Sequence, residues 1–434
     1  MGSSRRQICM ASDNVHRLMW YVSTRGRVQP VDFPTALLQG LAPDGGLYVP
    51  EKLPEIDTQS WKAATDFSAM STRILTPWLA SKIPETILAS ILRQALNFPI
   101  PLVKVGSAWV LELFHGPTLS FKDFGARTMS RLMNHLVKDE PLTILVATSG
   151  DTGSAVADGF GNLPNLRVAV LYPKGQVSST QEKQLIVRRT GVRSFAVNGT
   201  FDDCQAMVKE LLVSPGRLRL SAANSINVGR LLPQMLYYYW AFAQGQWGSA
   251  DVCVPCGNLG NLTAGVLSAL CGLPVRNFIA AHNANNGYPK FLAGDKDAFG
   301  ESIRTLSNAM DVGRPSNFER LKFLLPEDRM RRMIQGSSCS DEDTLTSIRR
   351  VYEETGYTAD PHTAVALAAI RDRPTPVVVL STAHPAKFPD TVERALGHAP
   401  ASVPALTRLE SMPIRVQSLE PTSDALRLKL EFWN

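Results

Sequence analysis

The chain has 434 residues, of which 44% are hydrophobic and 19% are charged. A chain of this length predicts two or three domains with sizeable cores, and this composition excludes a disordered or fibrous protein. No uncharged apolar run approaches the ~18 residues of a membrane-spanning helix, so we predict no membrane span. The net charge of +6 is spread along the chain without a dense basic run, which argues against nucleic acid as a partner.

The six cysteines are too scattered for a disulfide framework, and no Cys/His group has the spacing of a zinc site. Cys253 and Cys256 have the spacing of a redox pair, but they fall in an apolar run typical of a buried strand, so we expect no redox role. No apolar segment follows Arg5 and Arg6, which predicts that there is no secretory signal and that the protein is cytoplasmic. We therefore expect no metal site.

Residues 1–95 predict a mostly helical region that includes a helix near 85–96. From about residue 100 short apolar runs alternate with longer helical segments. The predicted strands are 143–147, 167–171, 194–197, 252–254, 275–280 and 376–380, and the main helices between and after them are 178–189, 201–212, 259–270 and 387–396.

This alternation predicts an α/β fold with two parallel sheets that are flanked by helices on both faces. The strand-like runs are continuously apolar, as expected where both faces of a sheet are covered. We predict a smaller α/β domain at 96–230 and a larger one at 231–434, after the N-terminal region. Ligands of such folds bind beyond the carboxyl ends of the strands, so the polar and glycine-rich segments there are candidate sites.

One segment, 115–125 (HGPTLSFKDFG), carries a single lysine among aromatic, glycine and hydroxyl residues. Apolar neighbours disfavour the charged ammonium and lower the pKa of a lysine. Lys122 would then be a neutral amine, which can attack an aldehyde to form a Schiff base. Taken alone, the segment fits a surface lysine at a helix start at least as well.

Glycine-rich segments follow two predicted strands, at 147–155 (ATSGDTGSA) and 255–265 (PCGNLGNLTAG). Each offers backbone N–H groups at a helix N-terminus, which can hold an anion. Neither has the Walker or the GxGxxG pattern, so an NTPase or a dehydrogenase is disfavoured. Residues 223–230 add amides, a hydroxyl and Arg230, a combination that suits a phosphate clamp. Ordinary turns with capping residues are the alternative for each segment.

These segments together fit one chemistry. An aldehyde cofactor with a phosphate group needs a Schiff-base lysine, a glycine-rich phosphate cup and polar contacts to its ring. Ser381 and Thr382 supply hydroxyl groups at the end of a late strand. His384 follows them, but a lone histidine is more often structural than catalytic.

Many motifs of the chain, from about residue 21 to residue 388, resemble those of the threonine synthase family, in the order in which that family has them. This family consists of pyridoxal-phosphate enzymes of fold type II, the tryptophan-synthase-β-like fold. The motifs are GLAPDGGLYVP at 40–50, HGPTLSFKDFG at 115–125, TSGDTG at 148–153, YPKG at 172–175, QEKQ at 181–184, NSIN at 224–227, GNLGNLTAG at 257–265, TLSNAMDVG at 305–313, DPHTA at 360–364 and TAHPAKF at 382–388.

The resemblance implies that Lys122 forms the Schiff base with pyridoxal phosphate. It implies that Thr382 faces the pyridine nitrogen and that Asp151 takes the place of an asparagine that faces the phenolic oxygen in many fold-type-II enzymes. The cofactor's phosphate would be held chiefly by the backbone N–H groups of Gly257, Asn258, Leu259, Gly260 and Asn261.

The resemblance also implies O-phospho-L-homoserine as the substrate. Phosphate would leave its γ carbon, water would add at the β carbon, and L-threonine would be released. The substrate phosphate would contact Thr152, Ser225, Arg230 and Asn261, and Thr118 and Ser149 would lie near the α-carboxylate.

Three alternatives remain at this point. A phospho-lyase of the same family, which releases 2-oxobutyrate, would use the same motifs. Another fold-type-II enzyme, such as a serine/threonine dehydratase or a cysteine synthase, is disfavoured by Ser225, Arg230 and DPHTA. The third, a non-catalytic binding protein with a retained fold, is disfavoured by the intact Lys122. The oligomeric state, monomer or homodimer, stays open.

Overall fold

The computed structural model describes residues 19–79, 82–371, 373 and 376–433, so the predicted absence of a signal concerns residues outside these ranges. The helices are α1 (Phe33–Gln39), α2 (Phe67–Leu79), α3 (Glu85–Ala95), α4 (Lys122–Leu136), α5 (Asp151–Phe160), α6 (Ser179–Ile186), α7 (Phe201–Val213), α8 (Val228–Gly245), α9 (Gly260–Leu270), α10 (Gly287–Ala293), α11 (Phe318–Leu324), α12 (Glu327–Met333), α13 (Asp341–Thr355), α14 (Pro361–Ala369), α15 (Pro389–Leu396), α16 (Pro404–Glu410) and α17 (Ser423–Glu431).

Thirteen strands are described along the same ranges. They are β1 (Tyr21–Ser23), β2 (Tyr48–Pro50), β3 (Leu102–Val105), β4 (Ala108–Glu112), β5 (Leu142–Ala147), β6 (Leu166–Pro173), β7 (Val192–Val197), β8 (Leu220–Ala222), β9 (Ala250–Pro255), β10 (Val275–His282), β11 (Ile334–Ser338), β12 (Val377–Ser381) and β13 (Val416–Leu419).

The larger sheet has six strands in the order β11-β10-β9-β12-β4-β3. All neighbours are parallel except the edge pair, in which β3 runs antiparallel to β4 with Leu102 opposite Leu111. All six residues of β9 are buried, as expected for a strand covered on both faces.

The smaller sheet has five parallel strands in the order β13-β7-β6-β5-β8. Its central strand β6 is almost entirely buried. The predicted α/β class with two helix-flanked parallel sheets is therefore confirmed, and each predicted strand coincides with an observed one. No bounds were predicted for strands β3, β4, β8, β11 and β13 of these two sheets.

The sheets do not follow the predicted domain boundaries in simple chain order. The segment 102–112 lies within the predicted smaller domain, yet its strands β3 and β4 belong to the six-stranded sheet. Conversely, β13 at 416–419 pairs with β7 of the five-stranded sheet. The division at 95 and 230 therefore stays a prediction, whereas strand pairing shows that the chain enters each sheet twice.

Helix α8 lies at the centre of the molecule, where α4, α9 and the N-terminal helix α2 pack against it. Its residues Tyr237, Tyr238 and Tyr239 are almost completely buried. The described part of the N-terminal region contains the three helices α1, α2 and α3 and the short β1–β2 pair. No helix in the described ranges is long and apolar enough to cross a membrane.

Candidate active site

A cavity of about 760 Å³ lies where the carboxyl ends of strands from both sheets meet. Ala147 ends β5 of the smaller sheet, and Pro255 ends β9 of the larger one. The parallel topology therefore brings together segments that are more than a hundred residues apart, as expected for this fold class. With one exception, every residue predicted for the site lines this cavity.

Lys122 is the first residue of α4, and its side chain is only 14% exposed. Its Nζ lies 3.4 Å from Oδ2 of Asp151 and over the ring of Phe121. Burial lowers the pKa of Lys122, and the Asp151 carboxylate opposes that shift without reversing it. The nearby cation Lys387 lowers the same pKa further. The structure thus places a partly desolvated amine in the cavity.

Asp151 lies between two lysines at the start of α5. Lys387 Nζ, on a completely buried side chain, lies 2.7 Å from Oδ1 of Asp151, and Gln181 Nε2 donates to the same oxygen at 3.1 Å. Burial raises the pKa of Asp151, but Lys387 and then Lys122 outweigh burial and hold that pKa well below its ordinary value. Asp151 is therefore a carboxylate, and it accepts hydrogen bonds.

Lys387 and Gln181 were not predicted as site residues, although their segments TAHPAKF and QEKQ had been singled out. The sequence does not show which distant segments meet in the folded chain. Lys387 and Asp151 are far apart in the sequence, and neither segment by itself indicates an ion pair.

The glycine-rich turn after β9 leads directly into α9. Leu259 caps the helix with a left-handed backbone at φ 59°, and the first intrahelical bond is donated by the N–H of Thr263. The preceding N–H groups of the first turn have no acceptor within the helix, which makes this end an anion-binding feature. A Cβ on Gly257 would lie 2.9 Å from Cα of Met310, so this position has no room for a side chain.

Asn261 offers a donor with no acceptor. Its Oδ1 accepts hydrogen bonds from Tyr237 at 2.7 Å and from Tyr238 at 2.8 Å. The hydroxyl of Tyr238 also lies 2.8 Å from the main-chain carbonyl oxygen of Asn261. The Nδ2 atom is buried and has no hydrogen-bond partner in the described part of the chain. An anion in the cavity would satisfy it.

Arg230 is a buried cation, only 3% exposed, at the start of α8. Its Nη1 donates to the carbonyl of Ala223 at 2.6 Å, but its buried Nε finds no partner among the described residues. Burial lowers the pKa of Arg230 to about 10, so the guanidinium remains charged at neutral pH. Gly125 permits this approach, since a Cβ there would lie 2.8 Å from Nε.

Four further predicted residues line the same cavity: Ser149, Thr152, Ser225 and Thr382. Ser225 Oγ accepts a hydrogen bond from Asn258 Nδ2 at 2.6 Å, which ties the arginine segment to the glycine-rich turn. Asn258 thus uses its side chain within the protein, and its main chain remains the part available to a ligand.

The exception is Thr118, which does not line the cavity. Its hydroxyl and its N–H both donate to the carboxyl group of Asp123, at 2.6 and 2.9 Å. The prediction that Thr118 contacts the substrate carboxylate is therefore not supported, because its hydroxyl hydrogen is already used. Burial raises the pKa of Asp123 to about 7.

His362 lines the cavity but was not predicted as a site residue from the sequence. The backbone N–H of Ala309 donates to its Nε2 at 3.2 Å, and its Nδ1 lies 2.7 Å from Oδ1 of Asp360. Because Nε2 accepts a hydrogen bond, the proton of the neutral ring is on Nδ1, facing Asp360. This pairing fixes the ring at the cavity wall.

The cysteine pair has no exposed thiol. Cys253 and Cys256 are both buried, and burial raises the pKa of each thiol above its ordinary value. A reactive cysteine requires a lowered pKa and access to solvent, so this pair lacks both features. Across the described ranges, no group of three or more histidine, cysteine or acidic side chains could hold a metal ion.

The geometry fits pyridoxal phosphate. It combines a buried amine, a helix N-terminus with unfilled N–H groups, a turn in which Gly257 leaves no room for a Cβ, and the unpaired amide of Asn261. Fold and site together define a pyridoxal-phosphate-dependent enzyme. The family model described as pyridoxal-phosphate dependent enzyme matches residues 95–381. Models of the threonine synthase N terminus and C-terminal part match residues 20–96 and 363–428.

Comparison with known proteins identifies the family to which the chain belongs within this class of enzymes. The chain is 42% identical over 414 residues to the threonine synthase of Escherichia coli (strain K12), with 92% of this chain and 96% of that protein covered. It is 32% identical over 457 residues to the threonine synthase of Saccharomyces cerevisiae, with coverage of 87% and 89%. The chain belongs to the threonine synthase family of pyridoxal-phosphate-dependent lyases.

Solved structures agree with this assignment. The crystal structure of threonine synthase from Escherichia coli superposes with a TM-score of 0.89 at 39% identity, covering 95% of this chain and 99% of that one. A structure described as pyridoxal-phosphate-bound threonine synthase from Brucella melitensis has a TM-score of 0.90 at 32% identity, with coverage of 95% and 98%.

Proposed function

We propose that this enzyme converts O-phospho-L-homoserine and water to L-threonine and inorganic phosphate. One observation carries the proposal. Lys122, Arg230 and Asn261 line a single cavity, and Arg230 Nε and Asn261 Nδ2 are buried donors that have no partner in the part of the chain described here. A second phosphate, separate from that of the cofactor, would use such donors, and the proposed substrate carries one.

Pyridoxal phosphate would be held by Lys122 through a Schiff base and by the main chain of residues 257–261 at its phosphate. Thr382 would face its ring nitrogen. When bound, this cofactor supplies an electron sink for the negative charge that develops on substrate carbon. The small residues of the turn support this assignment, because backbone N–H groups can approach a phosphate closely only where side chains do not intervene.

In this proposal Lys122 is the catalytic base and acid. Once the substrate amine has taken its place on the cofactor, the freed amine of Lys122 would remove the proton from the α carbon of the substrate and return protons to substrate carbon later in the reaction. The burial that lowers the pKa of Lys122 supports this role, because only the neutral amine can accept a proton. The Asp151 carboxylate, held ionised by Lys387, would keep the amine oriented.

Arg230 would bind the substrate phosphate and stabilise it as it leaves. A guanidinium is planar and can donate to two phosphate oxygens at once. Its electrostatic stabilisation of a phosphate is stronger in a buried cavity than in water. The hydroxyls of Thr152 and Ser225 and the amide of Asn261 would add hydrogen bonds on the same group. Water then adds at the β carbon, which balances the reaction and gives threonine.

The test compares wild-type protein with Lys122→Ala and with Lys138→Ala, which removes an exposed lysine. Borohydride reduction followed by peptide mapping should attach the cofactor to Lys122 in wild type and in Lys138→Ala. Lys122→Ala should lose both this attachment and threonine formation while keeping its far-UV circular dichroism. Reduction at another lysine, or 2-oxobutyrate in place of threonine, would contradict the proposal.

We also propose that the protein is cytoplasmic, in agreement with the expectation from the sequence. The five cysteines in the described ranges are all buried and free, as is usual in a reducing compartment. Fractionation of cells followed by immunodetection would test this location.

The oligomeric state is a separate question. Measurement of the sedimentation coefficient would decide between the monomer and the homodimer.

A further inference from the structure

A second cavity, of about 1340 Å³, lies at the opposite edge of the five-stranded sheet from the active site. Arg167 and Arg193 are the second residues of β6 and β7, and Arg415 directly precedes β13. These three strands are parallel neighbours, so the arginines share the amino-terminal edge of the sheet. The active-site segments leave the carboxyl-terminal edge, which makes the two cavities distinct.

The walls of this cavity are strongly cationic. Asp158 is the one acidic residue among the described lining residues, and its carboxylate already lies 3.5 Å from Arg127 and 3.9 Å from Arg189. Six arginines line the cavity: Arg167, Arg188, Arg189, Arg193, Arg408 and Arg415.

The like charges are close enough to affect one another. Burial lowers the pKa of Arg193, and the neighbouring Arg415 and Arg167 lower it further. Arg167, Arg188, Arg408 and Arg415 bring further cations from separate elements to one cavity, which costs electrostatic free energy, and an anion in the cavity would offset that cost. Guanidinium groups match phosphate oxygens in pairs, so a phosphate chain would suit several of them at once.

A second observation at the same cavity points to a ligand. The side chain of Gln184 is only 2% exposed and lines the cavity. Its Nε2 donates to the carbonyl of Thr118 at 3.3 Å, whereas its buried Oε1 accepts from no group in the described ranges. A buried acceptor without a donor is costly. A hydroxyl group on a bound molecule would satisfy it.

We propose that this arginine-lined cavity is a second ligand site, which binds a small organic polyphosphate that carries hydroxyl groups. The phosphate chain contacts the arginines, and a hydroxyl donates to Gln184. A nucleoside triphosphate has this chemistry, and so do other phosphorylated metabolites. The cavity volume accommodates a molecule of that size.

The test is calorimetric titration of the enzyme loaded with pyridoxal phosphate, using metal-free ATP and, separately, inorganic tripolyphosphate. One ATP should bind per chain, and its affinity should fall as salt concentration rises. Tripolyphosphate should bind with lower affinity, because it lacks the hydroxyl that reaches Gln184. Equal affinity for the two probes would remove Gln184 from the proposal, and failure of both to bind would overturn the site.

Two matched double variants make the test specific. Arg408→Ala/Arg415→Ala removes two arginines of the cavity. Both are exposed, so the fold does not depend on them. Each lost contact should weaken ATP binding roughly tenfold, so the affinity for ATP should drop about a hundredfold. Arg329→Ala/Arg332→Ala removes the same charge from exposed positions of α12 and should leave affinity unchanged. Equal losses in both would show a general charge effect and overturn the proposal.

An additional variant separates this site from the active site. Arg230→Ala should leave ATP binding unchanged, because Arg230 lines the active-site cavity and not the arginine-lined one. If Arg230→Ala abolishes ATP binding and Arg408→Ala/Arg415→Ala does not, ATP occupies the active site and the proposal is wrong.

Discussion

Lys387 Nζ lies 2.7 Å from Oδ1 of Asp151, on a side chain that is completely buried. The other oxygen of this carboxylate, Oδ2, lies 3.4 Å from the amine of Lys122. Asp151 thus faces two amines in one dry site. Since one carboxylate compensates only one full positive charge, the arrangement favours a neutral Lys122 beside a charged Lys387–Asp151 pair. Lys387 is therefore a positioning residue that acts through Asp151.

Lys387→Met tests this relationship through stability. The substitution leaves the Asp151 carboxylate buried with one partner fewer, and breaking a buried ion pair costs about 3–5 kcal/mol. In wild type the pKa of Asp151 is lowered below its ordinary value of 3.8, so its contribution to stability is present above that pH and is lost only as pH falls through the lowered pKa. Urea unfolding at pH 7 should show the loss, and Lys138→Met should not.

The same variant should also change how the amine titrates. Because Lys387 lowers the pKa of Lys122, its removal should keep Lys122 protonated to higher pH. The acid limb of the pH profile for incorporation of pyridoxal phosphate into the apoenzyme should therefore move to higher pH. A profile that superposes on that of wild type would mean that Lys387 is merely structural.

Gly257→Ala should weaken cofactor binding. The added Cβ would lie 2.9 Å from Cα of Met310 and 3.1 Å from the carbonyl oxygen of Ala309, and main-chain atoms cannot move aside cheaply. Overpacking of this kind costs about 1–3 kcal/mol and displaces the turn that holds the phosphate. Equilibrium titration with pyridoxal phosphate measures the effect. Gly248→Ala is the control, since no atom lies within 4 Å of its added Cβ.

Arg230→Ala should reduce kcat/KM for the phosphorylated substrate. Truncating one partner of a buried, hydrogen-bonded charge pair costs about 2–5 kcal/mol of binding free energy, and we expect a loss in this range for Arg230→Ala. The absorbance spectrum of the bound cofactor should remain that of wild type, because Arg230 is assigned to the substrate. Arg230→Lys should recover part of the loss, since it keeps the charge without the planar fork. Unchanged kinetics in both variants would exclude Arg230 from substrate binding.

Asp123→Asn should flatten the pH dependence of stability. The pKa of Asp123 is raised from 3.8 to about 7, so its neutral form is favoured in the folded state. Its contribution is present below pH 3.8 and is lost as pH rises towards 7, with a slope of up to about 1.4 kcal/mol per pH unit. Urea unfolding between pH 5 and pH 8 should show a smaller decline in the variant. A decline equal to that of wild type would show that Asp123 is ionised throughout.

Several features of the site could be predicted from local sequence because their chemistry is local. The apolar run at 252–255 within β9 is typical of a covered strand, and glycines directly after it indicate a turn at a helix N-terminus. The aromatic residues beside Lys122 were compatible with a desolvated amine, but that segment alone fitted a surface lysine at least as well. Each of these inferences depends on neighbours within a few positions, which the sequence contains.

The partnerships between distant segments were decided only by the tertiary structure. Lys387 meets Asp151 because β12 and β5 belong to different sheets whose carboxyl ends converge on one cavity. Thr118 turns away from that cavity because Asp123 accepts both of its donors. The strand period and apolar character indicate that a strand is buried, but not which strand lies beside it. Contacts across the sheets, the arginine-lined cavity included, therefore follow from the folded arrangement alone.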